Sequence, residues 1–330
     1  MVKLNSYELF SNYQKQPRVF ASLGEGFKAL AGHLYLLLFP IGLDLYFLFA
    51  PRFTVSELAN QTLDQALTLV QFTNQSQDAI NQAIASVKTY FGYFSLSSAL
   101  RTYPVGVPSL LAGRPIAENI FGSLPVHDLS HGGQFILAIL VFSLIGLILG
   151  TLYFFWSSKA AQPTAEKKSF KNIISAFLNL FILSLVMIVA MFLISLPFAL
   201  IFTLFNSLSP VLGLIAYFIT AMLLLSVIIP LYFASHAVVV LGQNAFQAIS
   251  SSLKMIRPFY SSASIFLTFE VIIAFLTNML WQTPSDNSPL LFVGIFGHAL
   301  VTTALLIASF HYFSDVIKIY EELFVTQKAT

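Results

Sequence analysis

The chain has no cysteine, which excludes disulfides, thiolate nucleophiles and cysteine-based metal centres. Charge is almost as scarce. Only 9% of the 330 residues are Asp, Glu, Lys or Arg, against roughly 25% in an ordinary soluble domain. Such a chain cannot cover a water-facing surface with polar groups. Enzymatic signatures are missing too: there is no Gly-rich phosphate loop, no HExxH and no GxSxG. No catalytic residue, cofactor or metal is therefore expected. The net charge of +2 says little about partners, since its distribution matters more than its sum. Nucleic acid is not among the partners expected.

What is present is apolar. Hydrophobic residues make up 57% of the chain and the mean hydropathy is +0.81. Residues Asn172 to Leu253, Leu129 to Ser158 and Asn287 to Ser314 contain no Asp, Glu, Lys or Arg at all. A membrane span needs roughly 20 apolar residues, so these stretches hold several. Six spans are predicted: 33–51, 134–156, 172–196 (with Pro197 breaking or kinking the helix beyond it), 210–236 (with Pro230 a kink), 262–281 and 289–313. The first apolar run lacks a small-residue cleavage site and reads as a retained span rather than a signal peptide.

Lysine and arginine choose the orientation. With both termini inside, Lys3, Lys15, Arg18, Lys28, Lys159, Lys167, Lys168, Lys171, Lys254, Arg257, Lys318 and Lys328 are cytoplasmic. Only Arg52, Lys88, Arg101 and Arg114 are outside, in one long loop that translocates largely regardless of charge. The fold class predicted is thus an all-α polytopic bundle, N-in and C-in, in the cell membrane and specifically a bacterial cytoplasmic membrane. Trp156 and Tyr312 fall at predicted inner borders and Trp281 at an outer one, as aromatic anchors do.

The organisation has three parts. Residues 1–51 hold an interfacial lead-in helix and the first span. Residues 52–133 form an extracytoplasmic loop region. Residues 134–330 hold the other five spans, a cytoplasmic linker at 157–171 and an interfacial helix at 244–257. Phe20, Leu23, Phe27 and Leu30 share one helical face, as do Phe246, Ile249, Leu253 and Ile256. Asn244 is placed to cap the second of these helices, and Pro258 ends it. Arg18, Lys28, Lys254 and Arg257 are candidates to meet anionic lipid headgroups.

In the outer loop, Thr54 and Glu57 fit a capping box that starts two amphipathic helices joined near "TNQSQ". Asn60 and Asn74 lie in glycosylation sequons, which matter only in a eukaryotic secretory host. Next comes the proline-broken "RTYPVGVPSLLAGRPIAENIFGSLP", which either lies along the outer membrane surface or plugs the bundle. "HDLSH" brings His127, Asp128 and His131 together, but without a third partner it reads as a solvated junction rather than a metal pair.

Three ionisable groups fall inside the membrane. By position in their spans, Asp44 lies about 17 Å, Glu270 about 13 Å and His298 about 24 Å from the cytoplasmic edge. A charged aspartate at the bilayer centre costs roughly 2.5–3.5 kcal/mol, so each must face the bundle or water. They read either as a proton- or cation-handling site or as hydrogen-bonded clamps between spans. His236 and His311 are expected to snorkel, and Asn179 and Asn278 to bond between helices. Gly146 and Gly150 form a GxxxG that lets another backbone approach, inside the bundle or across a dimer.

The stretch "IIPLYFASHAVVVLGQNAFQAISSSLKMIRPFYSSASIFLTF", within residues 228–275, resembles the glycerophosphoryl diester phosphodiesterase membrane-domain family of bacterial polytopic proteins. The likeness lies in Pro230, the small-polar turn after it, and Ala245, Ala248 and Ser252 ahead of a basic residue and the next span. It implies a six-helix inner-membrane bundle. The soluble phosphodiesterase domain that some members carry is missing from this chain, so no hydrolase residue transfers. The leading expectation is a non-enzymatic, membrane-organising or accessory bundle. The alternative is a transporter or ABC-type permease subunit that uses Asp44 and Glu270 for proton or cation coupling. A lipid-active enzyme is third. The partners expected are the bilayer and its anionic headgroups, with a homo-oligomer or an ATPase as further options.

Overall fold

A computed structural model describes residues 15–70, 77–114, 116, 118–162 and 170–329. The "TNQSQ" junction with Asn74, most of the basic linker after Gln162, and Lys3 lie outside the described residues. The chain is an all-α polytopic bundle. Five helices are long and apolar enough to cross a membrane, and a sixth span arises if a bent pair counts as one.

That bent pair opens the described chain. Helix α1 (Val19–Ala31) is followed by a 3-10 turn (Leu34–Leu37) and α2 (Leu38–Phe49), with a bend of 93° between the two arms. A small distal region comes next, with β1 (Arg52–Thr54), α3 (Ser56–Val70), α4 (Gln77–Tyr93), β2 (Glu118–Asn119), β3 (Gly122–Ser123) and β4 (Val126–Asp128); between α4 and β2 a 3-10 turn (Leu96–Leu100) packs on the following long helix. The remaining elements are α5 (Gly132–Ala161), α6 (Phe170–Leu208), α7 (Pro210–Tyr232), α8 (Ala234–Leu241), α9 (Ala245–Ile256), α10 (Tyr260–Trp281) and α11 (Leu290–Ala329).

Helix α11 is the central pillar. In its most apolar window 56% of residues are buried, against 11–22% in the other four spans. Those four turn broad faces of Leu, Ile, Phe and Val outward, as lipid-facing helices do. Both termini of the described chain meet at one end, where Lys15 pairs with Glu322 at 2.7 Å. That end also carries Arg18, Lys159 and Lys318, and is the basic end of the molecule.

Both prolines expected to break or kink a span lie inside helices. Helix α6 continues through Pro197 rather than breaking there. In lipid the freed carbonyl has no water to turn to, so continuing the ladder loses one hydrogen bond whereas breaking it loses several. Pro230 also sits inside its helix, and the break comes after Tyr232. Helix α11 continues well past Phe313, the expected end of the sixth span.

The apolar faces of α1 and α9 are divided between protein and the exterior. In α1 the buried residues are Ser22, Leu23, Gly26 and Leu30, while Phe20 and Phe27 point away. Gly26 lies against Ala304 and Ala308 of α11, where a Cβ would have no room. In α9 the buried residues include Ala245, Ala248 and Ser252, while Phe246 and Leu253 are exposed. Small residues face protein because close backbone approach gains packing, and large ones face lipid, which solvates them as well as protein does. The cap of α9 is as expected: Asn244 and Gln247 bond each other's backbones in a capping box.

The start of α3 is capped differently. Asp128 comes in from β4, which pairs in parallel with β1. Its carboxylate accepts from Ser56 N at 2.8 Å, Glu57 N at 2.9 Å and Thr54 Oγ1 at 2.7 Å. Partial burial pushes its pKa up, but these three donors outweigh it and hold the carboxyl below its ordinary range. The local Thr54–Glu57 box gives way to this ionised, non-local cap. His127 meanwhile lies against the ring of Phe53, and among the described residues no group of three or more His, Asp or Glu could hold a metal.

Candidate functional site

Between α4 and β2 the chain leaves the distal end and enters the bundle. At the distal mouth Ser95 Oγ accepts from Phe53 N. The segment then descends along α5: the Leu100 carbonyl meets Gly146, and Val105 and Gly106 meet Gly150. Gly146 lies about 21 Å and Gly150 about 27 Å from the start of α5. The tip is therefore near the middle of the span. A tight turn closes it, with Thr102 Oγ1 donating to the Val105 carbonyl and Gly106 lying too close to Thr102 for a Cβ. The chain then climbs back. Leu110 reaches Gly294, and Arg114 returns to the distal rim, where it pairs with Asp286 at 2.7 Å and donates to the Pro284 carbonyl. Residues 95–114 thus form a re-entrant hairpin.

Non-helical backbone at membrane depth is tolerated only inside protein or beside water. Here Leu96, Leu100, Val105, Val107, Leu110 and Leu111 are all buried. Gly146 and Gly150 do serve close packing within the bundle, but their partner is this hairpin and not a helix. Of the two placements open for the proline-broken segment, the hairpin takes the plug.

Asp44 is what holds it. The residue is fully buried and bonds to the ascending limb alone. Its carboxylate accepts from Ser109 Oγ at 2.5 Å, from Leu110 N at 3.1 Å and from Leu111 N at 3.0 Å. The Ser109 oxygen in turn accepts from Leu111 N and Ala112 N. A carboxylate inside α2 thus takes the place that water would fill for exposed loop amides.

Glu270 and His298 are placed otherwise. Neither is bonded to Asp44, so the three ionisable groups do not form one cluster. Glu270, on α10, accepts from the Tyr232 hydroxyl at 2.9 Å, while its Oε2 is buried without a partner among the described residues. His298, on α11, is buried with Nε2 also unpartnered. The nearest charge to Asp44 and His298 from the hairpin is that of Arg101. Arg101, predicted to lie in the outer aqueous loop, is carried to membrane depth by the hairpin.

Several other expectations change. His236 does not snorkel: it is fully buried, with Nε2 2.7 Å from Ser309 Oγ. Tyr312 is no border anchor either, for its ring stacks on Phe266 and its hydroxyl donates to Ser262. Asn179 bonds within its own helix, to Ser175. At the basic end Arg18 is paired with Asp315 at 3.0 Å and Lys28 lies 3.9 Å from Glu25, while Lys254 and Arg257 are exposed on or beside α9.

Two cavities flank the site. An apolar groove of about 670 Å³ lies between α2 and α5, lined by Tyr35, Phe39, Gly42, Ile145 and Trp156 among others. A polar cavity of about 450 Å³ opens at the basic end between α8 and α11, beside Arg18, His311, Ser314 and Lys318. No family model, curated protein or solved structure matches this chain, so its site is defined by its own geometry.

Proposed function

We propose that the chain is a proton-handling membrane carrier in which Glu270 is the coupling group and the hairpin tip closes the site from the distal side. The observation that carries this reading is the carboxyl itself. Glu270 sits inside a span with one oxygen bonded to Tyr232 and the other buried with no partner among the described residues. A clamp such as Asp44 satisfies its acceptors, whereas a group that must take up and release a proton keeps one open. Intramembrane carboxyls of this kind mark ion and proton paths. Asp44, expected from the sequence to share the coupling role, is assigned to holding the hairpin. The twelve-to-four distribution of cations favours a basic end that faces the cytoplasm, and a bacterial cytoplasmic membrane is the setting proposed. The likeness of residues 228–275 to a phosphodiesterase membrane-domain family fits that setting and adds no activity.

The test is proton flux. Protein in liposomes loaded with a pH-sensitive dye, under a potassium diffusion potential set by valinomycin, should acidify the lumen faster than protein-free liposomes. Glu270→Gln should return the rate to the protein-free level while the protein stays monodisperse. A wild-type rate equal to that of empty liposomes contradicts the reading and leaves the membrane-organising bundle in its place.

A further inference from the structure

Glu270 is the first member of a line of polar groups running toward the basic end. Tyr232, the last residue of α7, donates to Glu270 Oε1 at 2.9 Å. Ser309 of α11 lies beside it, with its own hydroxyl donating to the Leu306 carbonyl at 2.7 Å. Ser309 Oγ lies 2.7 Å from His236 Nε2 on α8. On the other side of the imidazole, Nδ1 faces Ser235 Oγ at 3.4 Å. Ser309 and His236 are wholly buried, and the rings of Phe154, Phe310 and Phe313 surround the imidazole. One helical turn further along α8 and α11, Val240 and Ser314 line the polar cavity that opens at the basic end. Four different helices contribute to this line, and apolar side chains would fill the same space at no cost in desolvation.

We infer that Glu270, Tyr232, Ser309 and His236 form a proton relay between the mid-span carboxyl and the polar cavity at the basic end. The inference rests on the proton-handling reading of Glu270 and adds the route. To load Glu270, water in the cavity gives a proton to His236 Nδ1 as Nε2 releases its own to Ser309 Oγ. The Ser309 hydroxyl turns from the Leu306 carbonyl and passes its proton to the Tyr232 oxygen, and the Tyr232 hydroxyl proton passes to Glu270 Oε1. Each intermediate group gains one proton and loses one. The net change is one proton taken from the cavity and one O–H bond formed on Glu270, with the imidazole left neutral in its other tautomer. Unloading reverses the order. One turn of α8 separates His236 from Val240, so the relay conducts only when that turn admits water.

The same liposome assay tests the route, with the proton as the probe. Ser309→Ala and Tyr232→Phe should each lower the flux to the Glu270→Gln level. Ser309→Thr, which keeps a hydroxyl, should retain most of it. A purely structural role for these groups predicts no such split between alanine and threonine. If Ser309→Ala fails to fold, Tyr232→Phe carries the test, because it removes one oxygen and leaves the ring in place. The relay is overturned if both variants conduct like wild type while Glu270→Gln does not, an outcome that leaves the carrier reading standing. A silent wild type overturns both.

Discussion

Asp44→Ala should release the hairpin and cost more stability than any other single truncation in the bundle. The substitution strips acceptors from Ser109 Oγ, Leu110 N and Leu111 N at once, in a place that water does not reach. Leu111 N keeps its bond to Ser109 Oγ, so two donors, Ser109 Oγ and Leu110 N, lose their acceptor. A buried donor left unpaired costs roughly 1–3 kcal/mol, so the two amount to about 2–6 kcal/mol. That is a large share of the whole stability of a typical fold, about 5–15 kcal/mol. Asp44→Asn keeps one carbonyl acceptor but brings an NH2 group that points donors at donors, and should fall between the two. The check is thermal unfolding in detergent together with the yield of monodisperse protein. An Asp44→Ala protein that unfolds at the wild-type temperature would show that the carboxylate does not hold the hairpin.

The second large effect is expected at Gly146, and its sign is the opposite of what helix propensity gives. In an exposed helix interior, Gly→Ala stabilises by about 1 kcal/mol. At Gly146 the new Cβ would overlap the carbonyl and Cα of Leu100, which are backbone atoms and cannot rotate away. Either α5 or the hairpin has to move, and overpacking of this kind costs about 1–3 kcal/mol. Gly150→Ala should behave similarly, since its Cβ would lie 2.8 Å from the Val105 carbonyl. Gly24 is the control: it is an exposed position on α1 where a Cβ would meet nothing within 4 Å. Gly24→Ala should be neutral or mildly stabilising. Thermal unfolding of the three variants side by side reads the difference. Equal stability at Gly24 and Gly146 would mean that no backbone packs on the α5 glycines.

The spans were legible because lipid imposes a crude and dominant requirement, some twenty apolar residues without charge. The cap at Asn244 was legible because a capping box is local. The apolar faces of α1 and α9 were legible from their spacing, but not which of their residues pack on protein. In a bilayer the inward faces are marked by Ser22 and Gly26 and by Ala245, Ala248 and Ser252. The hairpin was half legible: its prolines marked an irregular segment, but nothing local gave its depth. Asp44 stood out as an anomaly, yet its partners lie 65 to 67 residues away and two of them are backbone amides, which no side-chain pattern encodes. His236 was the missed site residue. A histidine in a stretch of residues 172–253 without Asp, Glu, Lys or Arg was the available signal, and its nearness to a span end hid it.

The role of Asp44 and the closure of the site depend on residues 95–114 entering the bundle, and one distance tests that directly. The chain has no cysteine, so Tyr103→Cys and Lys159→Cys give a clean pair for nitroxide labels and pulsed electron–electron distance measurement. The hairpin tip lies level with Gly150, nine residues from Lys159 along α5, which with the lateral offset places the labels about 20 Å apart. A segment lying on the distal surface, level with the start of α5, would put them about 40 Å apart. A distribution centred near the shorter distance is the predicted result, and one centred near the longer would contradict the re-entrant hairpin and the site built beneath it.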